Sequence, residues 1–294
     1  MAAEEFDALL AKAEALLDRL ASHLPPAPEA TDWNYQAYRY QSKPTPGVLQ
    51  GIAAPHQCHL QDLLGLERQK QLLLTNTAQF VAGFTANNAL LWGARGTGKS
   101  TLIKSLLSEF GDQNLRLIEV DKDDLVELPQ ILKLISARPE KYILFCDDLS
   151  FEANDASYKA LKVVLDGSLH APAENCLIYA SSNRRHLMPE FLRENLQAEI
   201  MEGEIHPGEN VDEKLSLTER FGLWLAFHPF NQETYLHIVE HWITRLSDAH
   251  IATPEMEAEA LRWALSRGSR SGRVARQFAQ DWVGRHFLEK KIAH

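Results

Sequence analysis

"LLWGARGTGKSTLIKSLL", residues 90–107, passes from a short apolar run through three glycines into a helical pattern. Leu90, Leu91 and Trp92 suit a buried parallel strand. Gly93, Gly98, Lys99 and Ser100 stand at the P-loop spacing G-x-x-x-x-G-K-[ST], with Ala94, Arg95, Gly96 and Thr97 between the two anchor glycines and Thr101 behind. Each residue type has a physical reason. Gly93, Gly96 and Gly98 let the backbone turn back and approach a polyphosphate closely. The loop amides then face the anion at the positive end of the following helix. Lys99 supplies a point charge for the β- and γ-phosphates. Ser100 can offer its hydroxyl to Mg²⁺. A P-loop alone does not separate ATPase, GTPase, kinase and helicase.

Magnesium at a P-loop needs a carboxylate opposite the serine, at the carboxyl end of a neighbouring buried strand. Asp147 follows the apolar run "YILFC" and is the candidate metal carboxylate, with Asp148 next to it as a candidate for orienting a water. Asn183 ends the following strand, "NCLIYASSN" (175–183), where an amide can hold that water or read the γ-phosphate. Arg220 stands before a further strand, "FGLWLAF" (221–227), and can complete a neighbouring subunit's site as a finger. In "GSRSGRVARQF", Arg270, Arg273 and Arg276, with Arg267 before them, recur at intervals of three and form an anion-reading face or a nucleic-acid patch.

Around the P-loop the chain alternates strands and helices. "LRLIEVD" (115–121) and "KYILFCDDL" (141–149) read as strands; "ELPQILKLISA", with Pro129 near its start, and "NDASYKALKVVLDGS" read as helices. A β–α alternation of this kind implies an α/β fold with a parallel sheet. From "HPFNQETYLHIVEHW" onward three helical stretches follow, about 231–248, 254–267 and 271–289. At the other end, Phe6, Leu10, Ala13, Leu17, Leu20 and Leu24 form an a/d stripe on a helix over 3–24. "LPPAPEATDW" breaks it, and residues 31–58, with three tyrosines, a tryptophan and more prolines, read as an extended connector anchored by aromatics. The expected domains are a helix and connector (1–58), an α/β nucleotide-binding core (59–229) and a helical lid (230–294).

Composition narrows the function classes. The 294 residues include 30 basic and 40 acidic side chains, a net charge of −10, which argues against broad nonspecific nucleic-acid binding. Three cysteines, Cys58, Cys146 and Cys176, are too few for a disulfide framework. "HQCH" (His56, Cys58, His59) lacks a second cluster at a zinc spacing. The N-terminal stretch has no apolar signal region and no run approaches the ~20 residues of a membrane span, so a cytoplasmic protein without a membrane span is expected. "DKDD" (121–124) lacks the leading Asn or Thr of a guanine motif, and the helical domain at the end is foreign to small-molecule kinases.

The order of glycine–lysine loop, "ILFCDD", "YASSN", "TERFG" and "SGRVAR" resembles the AAA+ ATPases, and most of all the family called domain of unknown function 815. "DLLGLERQKQLLLTNTAQF", "ILFCDDLSFE" and "ASSNRRHL" carry that closer likeness, from about Leu60 to Phe287. The resemblance implies a Walker A motif at Gly93–Ser100, Walker B at Asp147 and Asp148, sensor 1 at Asn183, an arginine finger at Arg220, and sensor 2 at Arg273 or Arg276. It implies that "DLLGLE", with Leu64, lines an adenine pocket. It further implies ATP and Mg²⁺ as ligands, a five-stranded sheet in the order 5-1-4-3-2, a helical lid, and an ATP-dependent homo-oligomeric ring acting on a protein or nucleic-acid client. One departure stands out: most AAA+ Walker B motifs end in Asp-Glu and this one ends in Asp-Asp. That is compatible with slow turnover, and leaves Glu152 as an alternative to Asp148. Two functions follow: an ATPase that remodels a partner, or an ATP-gated assembly module that hydrolyses little.

Overall fold

The structure is a computed structural model. It describes residues 6, 12, 14, 31–43, 47–151, 155–166, 174–184, 199–201, 204–206, 217–247 and 253–292, with side chains omitted for 199–206 and 287–292. Of the helix expected over 3–24, only positions 6, 12 and 14 fall among these, and all three are helical. Glu152 lies outside the described residues.

The strands are β1 (Ala37–Gln41), β2 (Val48–Gly51), β3 (Ala89–Gly93), β4 (Leu115–Glu119), β5 (Lys141–Cys146), β6 (Cys176–Ser182), β7 (Glu199–Met201), β8 (Glu204–His206) and β9 (Leu223–Phe227). The α-helices are α1 (Glu67–Val81), α2 (Lys99–Phe110), α3 (Leu128–Ile135), α4 (Ala156–Asp166), α5 (Gln232–Ser247), α6 (Pro254–Ser266) and α7 (Gly272–Ile292). The main sheet runs β2-β1-β4-β5-β6-β3-β9, and β7 and β8 form a separate antiparallel pair. From β4 to β9 every pairing in that sheet is parallel.

The sheet therefore has seven strands, not the five expected from the sequence. The additional two come from the stretch read as a connector. β1 pairs antiparallel with β2, Tyr40 opposite Leu49, and parallel with β4, Tyr38 opposite Ile118. Ala37, Tyr38 and Tyr40 are buried while Arg39 is exposed and bonds Asp121 at 2.7 Å. The prolines lie between and around these strands, so they do not interrupt the ladder. The α/β sheet consequently reaches back at least to Ala37.

Alternate residues of the central strands enter two apolar layers. Leu91, Ile143, Phe145 and Tyr179 pack on one side with α1, α2 and the inner faces of α5, α6 and α7. Leu90, Leu144, Ile178 and Tyr142 pack on the other with α3, α4 and β1. Burial on both faces is why "YILFC" is continuously apolar. The three C-terminal helices share the first layer through Tyr235, Ile238, Met256 and Phe278. Thr253 caps α6, its hydroxyl accepting from the Met256 N–H at 3.2 Å, with Pro254 in the first turn.

Tyr40 is 1 % exposed and fills the space beside Gly47. Tyr40→Ala is expected to lower unfolding stability by about 3–5 kcal/mol in chemical denaturation, as for other large aromatic deletions in cores. A connector lying loosely on the surface would give a change near zero.

Candidate nucleotide site

The P-loop leaves β3 in close contact with the end of β9. At Gly93, with φ +133°, a side chain would place its Cβ 2.0 Å from the Phe227 carbonyl oxygen, which instead accepts the Ala94 N–H at 3.0 Å. Gly96, at φ +75°, lies against Ser271, and its carbonyl accepts the Arg273 N–H at 3.2 Å. Thr97 donates to the Ala94 carbonyl at 2.8 Å and closes the loop on itself. Gly98 precedes α2 in the left-handed region and brings no capping side chain, and the first turn holds no acidic residue. The first N–H groups of α2 are thus left to an outside acceptor, at the positive end of the helix.

Lys99 is 6 % exposed. Its ammonium donates to the carbonyls of Gly93 at 2.9 Å and Ala94 at 2.8 Å, and to Asn183 Oδ1 at 3.1 Å. Burial pushes its pKa below the ordinary lysine value; Asp148 and Asp147 oppose that shift, and Arg273 and Arg95 add to it. Asn183 uses its other amide atom to donate to Asp148 Oδ1. The two partners fix the amide's orientation, oxygen toward the ammonium and nitrogen toward the carboxylate.

Beside this chain, the Ser100 hydroxyl donates to Asp147 Oδ1 at 2.5 Å. A hydroxyl and a carboxylate, both hard oxygen donors, fit Mg²⁺. Asp148 has a left-handed backbone, φ +50°. Aspartate enters that region at lower cost than most non-glycine residues. The local bonds hold it there: Asp148 N–H reaches Asp147 Oδ1 and Ser181 Oγ, each at 3.1 Å, and Leu149 N–H reaches the Ser181 carbonyl at 2.7 Å.

These groups line one cleft of about 740 Å³. Gly96 to Thr101, Arg95, Asp147, Asp148, Asn183, Leu64, Arg273 and Arg276 all face it. Gly93 and Ala94 lie just beneath, as the acceptors of Lys99. The two arginines at the start of α7 differ. Both are exposed, but the Arg276 guanidinium lies over the Trp242 ring at 4.6 Å, whereas the charge of Arg273 is felt at Lys99. Arg220 is not part of this cleft. It precedes β9 at the end opposite the P-loop, about 16 Å of strand away. There it pairs with Asp166 at the end of α4.

Sequence reasoning missed several lining groups. His56, Cys58 and His59 form part of the wall, and His56 Nδ1 lies 3.2 Å from Cys58 Sγ. Among the described residues no cluster of three or more His, Cys, Asp or Glu is arranged to hold a metal ion. Trp242 and Ile238 of α5 close the other wall. Asp62 ties that helix to the segment before α1, accepting from Arg245 and lying 3.0 Å from His241 Nε2. Ser181 lies at the cleft floor. Its signal is present in "ASSN", where two serines end an otherwise apolar strand; Trp242 is brought in only by tertiary packing.

The family described as "Protein of unknown function (DUF815)" matches residues 33–286, and the chain belongs to that family. No curated protein sequence matches it. Among solved structures, a mutant RuvB of Thermotoga maritima aligns with 20% identity and a TM-score of 0.51, over 76% of this chain and 63% of that one. Orc1 of Aeropyrum pernix, solved in complex with DNA, aligns with 18% identity and a TM-score of 0.50, over 72% of this chain and 57% of that one. The chain thus spans less than two thirds of either relative. The likeness shows the fold alone, the one shared with these RuvB and Orc1 chains. No helix among the described residues is long and apolar enough to cross a membrane.

Of the six tryptophans, Trp242 alone lines the cleft. Titration with Mg-ATP is expected to change the intrinsic fluorescence, and Trp242→Phe to remove most of that change. An unaltered signal in the variant would place the base elsewhere.

Proposed function

We propose that the protein is an ATPase that binds Mg-ATP in this cleft and couples hydrolysis to conformational change in a macromolecular partner, protein or nucleic acid. The observation that carries the proposal is the Asn183 amide, which joins Lys99 of the P-loop to Asp148 above the Ser100–Asp147 pair. A glycine-rich turn with a structural role has no need of that linkage.

In this reading the P-loop amides and Lys99 hold the polyphosphate, and Ser100 and Asp147 hold Mg²⁺. The ion, when bound, would offset the negative charge of the polyphosphate. Asp148 faces the γ-phosphate and orients a water, with Asn183 fixing its carboxylate. The water oxygen bonds to the γ-phosphorus as the bond to the β-phosphate oxygen breaks, and the released proton passes to the Asp148 side or to phosphate. Arg273, whose charge is felt at Lys99, reads the phosphates; Arg276, stacked on Trp242, belongs to the base wall with Leu64.

Arg220 completes a second copy's cleft. Its position at the far end of β9, outside its own cleft, supports that reading. Subunits would therefore meet as an ATP-dependent ring. A finger contributes about 10³–10⁵ in rate, because it meets charge that develops in the transition state.

Phosphate release tests the proposal. Arg220→Ala and Lys99→Ala are each expected to be nearly inactive, and mixing them to restore part of the activity, because some interfaces then pair an intact P-loop with an intact Arg220. No recovery on mixing contradicts action in trans. A wild-type protein that assembles with Mg-ATP yet releases no phosphate would instead be an ATP-gated assembly module, the reading favoured by the short Asp148 carboxylate.

A further inference from the structure

Ser181 is 2 % exposed and touches both acidic residues of the cleft. Its hydroxyl donates to Asp147 Oδ1 at 2.5 Å and accepts the Asp148 N–H at 3.1 Å. One hydroxyl thus spends its proton on the metal-side carboxylate and a lone pair on the peptide that turns the second carboxylate. The backbone of the same residue adds a third tie, its carbonyl accepting from Leu149 N–H at 2.7 Å. β5 ends at Cys146, and the chain must then reverse through a non-glycine residue at φ +50°. A backbone in that region persists only where its surroundings hold it. Here the holding comes from β6, by way of Ser181 and, at the side chain, Asn183.

The geometry points to Ser181 as a positioning residue for Mg-ATP hydrolysis: it aims the Asp147 carboxylate at the metal and fixes the left-handed turn that presents Asp148 to the γ-phosphate. The inference rests on the ATPase reading above. It also gives a reason for the Asp-Asp ending. The direction of the second carboxylate is set by a turn that aspartate tolerates and that Ser181 locks, so reach is supplied by the backbone instead of by a longer side chain. The neighbouring Ser182 is a natural control: it is fully buried, and its hydroxyl accepts the Arg184 N–H at 3.1 Å.

The test is steady-state phosphate release over a Mg²⁺ titration, with ATP affinity measured separately and folding followed by thermal unfolding. Ser181→Ala is expected to keep KM for ATP within about two-fold, lower kcat by about 10–100-fold, and move the Mg²⁺ half-saturation point upward, as for other groups that orient metal ligands. Ser181→Thr, which keeps the hydroxyl, is expected to retain most of kcat and the Mg²⁺ response. Ser182→Ala is expected to behave as wild type. If Ser181→Ala fails to fold, Ser181→Cys decides the matter, since it fills the same space with a weak donor and is expected to show the same kcat and Mg²⁺ losses. Wild-type kcat and Mg²⁺ dependence in a folded Ser181→Ala or Ser181→Cys protein overturns the inference while Asp147→Asn still loses its Mg²⁺ response. If Asp147→Asn also behaves as wild type, the metal reading of the cleft fails, and the inference falls with it.

Discussion

A buried ammonium is the constraint on which the cleft depends. Lys99 has all but 6 % of its surface covered, and its charge is sustained by two carbonyls from the end of β3 and one amide oxygen from the end of β6. Three donors meet three acceptors, as an ammonium requires. That arrangement exists only if β3 and β6 lie side by side in register, Leu91 opposite Ser181 and Trp92 opposite Ser182. It also requires Gly93, because the Phe227 carbonyl leaves no room there for a side chain. The strand order, the glycine and the lysine are therefore one requirement expressed three times. A phosphate arriving at the loop competes with the same carbonyls for the same ammonium, which makes Lys99 responsive to an anion.

The cleft is composite, and its walls come from distant parts of the chain. The segment 56–66 gives one wall and α5 with the start of α7 gives the other. Asp62 with Arg245 ties the two walls to each other, and the Gly96 carbonyl, accepting from the Arg273 N–H, ties the loop to the second wall. In the opposite direction, Arg220 and Asp166 stand at the far end of the sheet, away from the cleft.

Much of this was legible in the sequence, for reasons that can be stated. The P-loop declares itself because its chemistry needs fixed residue types at fixed spacing. The central strands declare themselves because burial on both faces makes them continuously apolar, as in "YILFC". β1 and β2 were not legible as strands. Their stretch is short, flanked by prolines and rich in tyrosine, and its tyrosines are buried only because α3 and β4 supply the other half of the layer. Arg273 and Arg276 could not be separated by spacing, since only the placement of Trp242 distinguishes them. Ser181 is marked in the sequence only as one of two serines ending an apolar strand; its tie to the left-handed turn comes from the packing of β6 beside β5.

The central claim is that Lys99 serves a polyphosphate. Calorimetric titration of Mg-ATP into the wild-type protein and into Lys99→Ala tests it most directly. Charged hydrogen bonds contribute about 1.5–3 kcal/mol each, so the variant is expected to bind about 10–100-fold more weakly, with its unfolding transition still cooperative. Equal affinity in the two proteins would contradict the account.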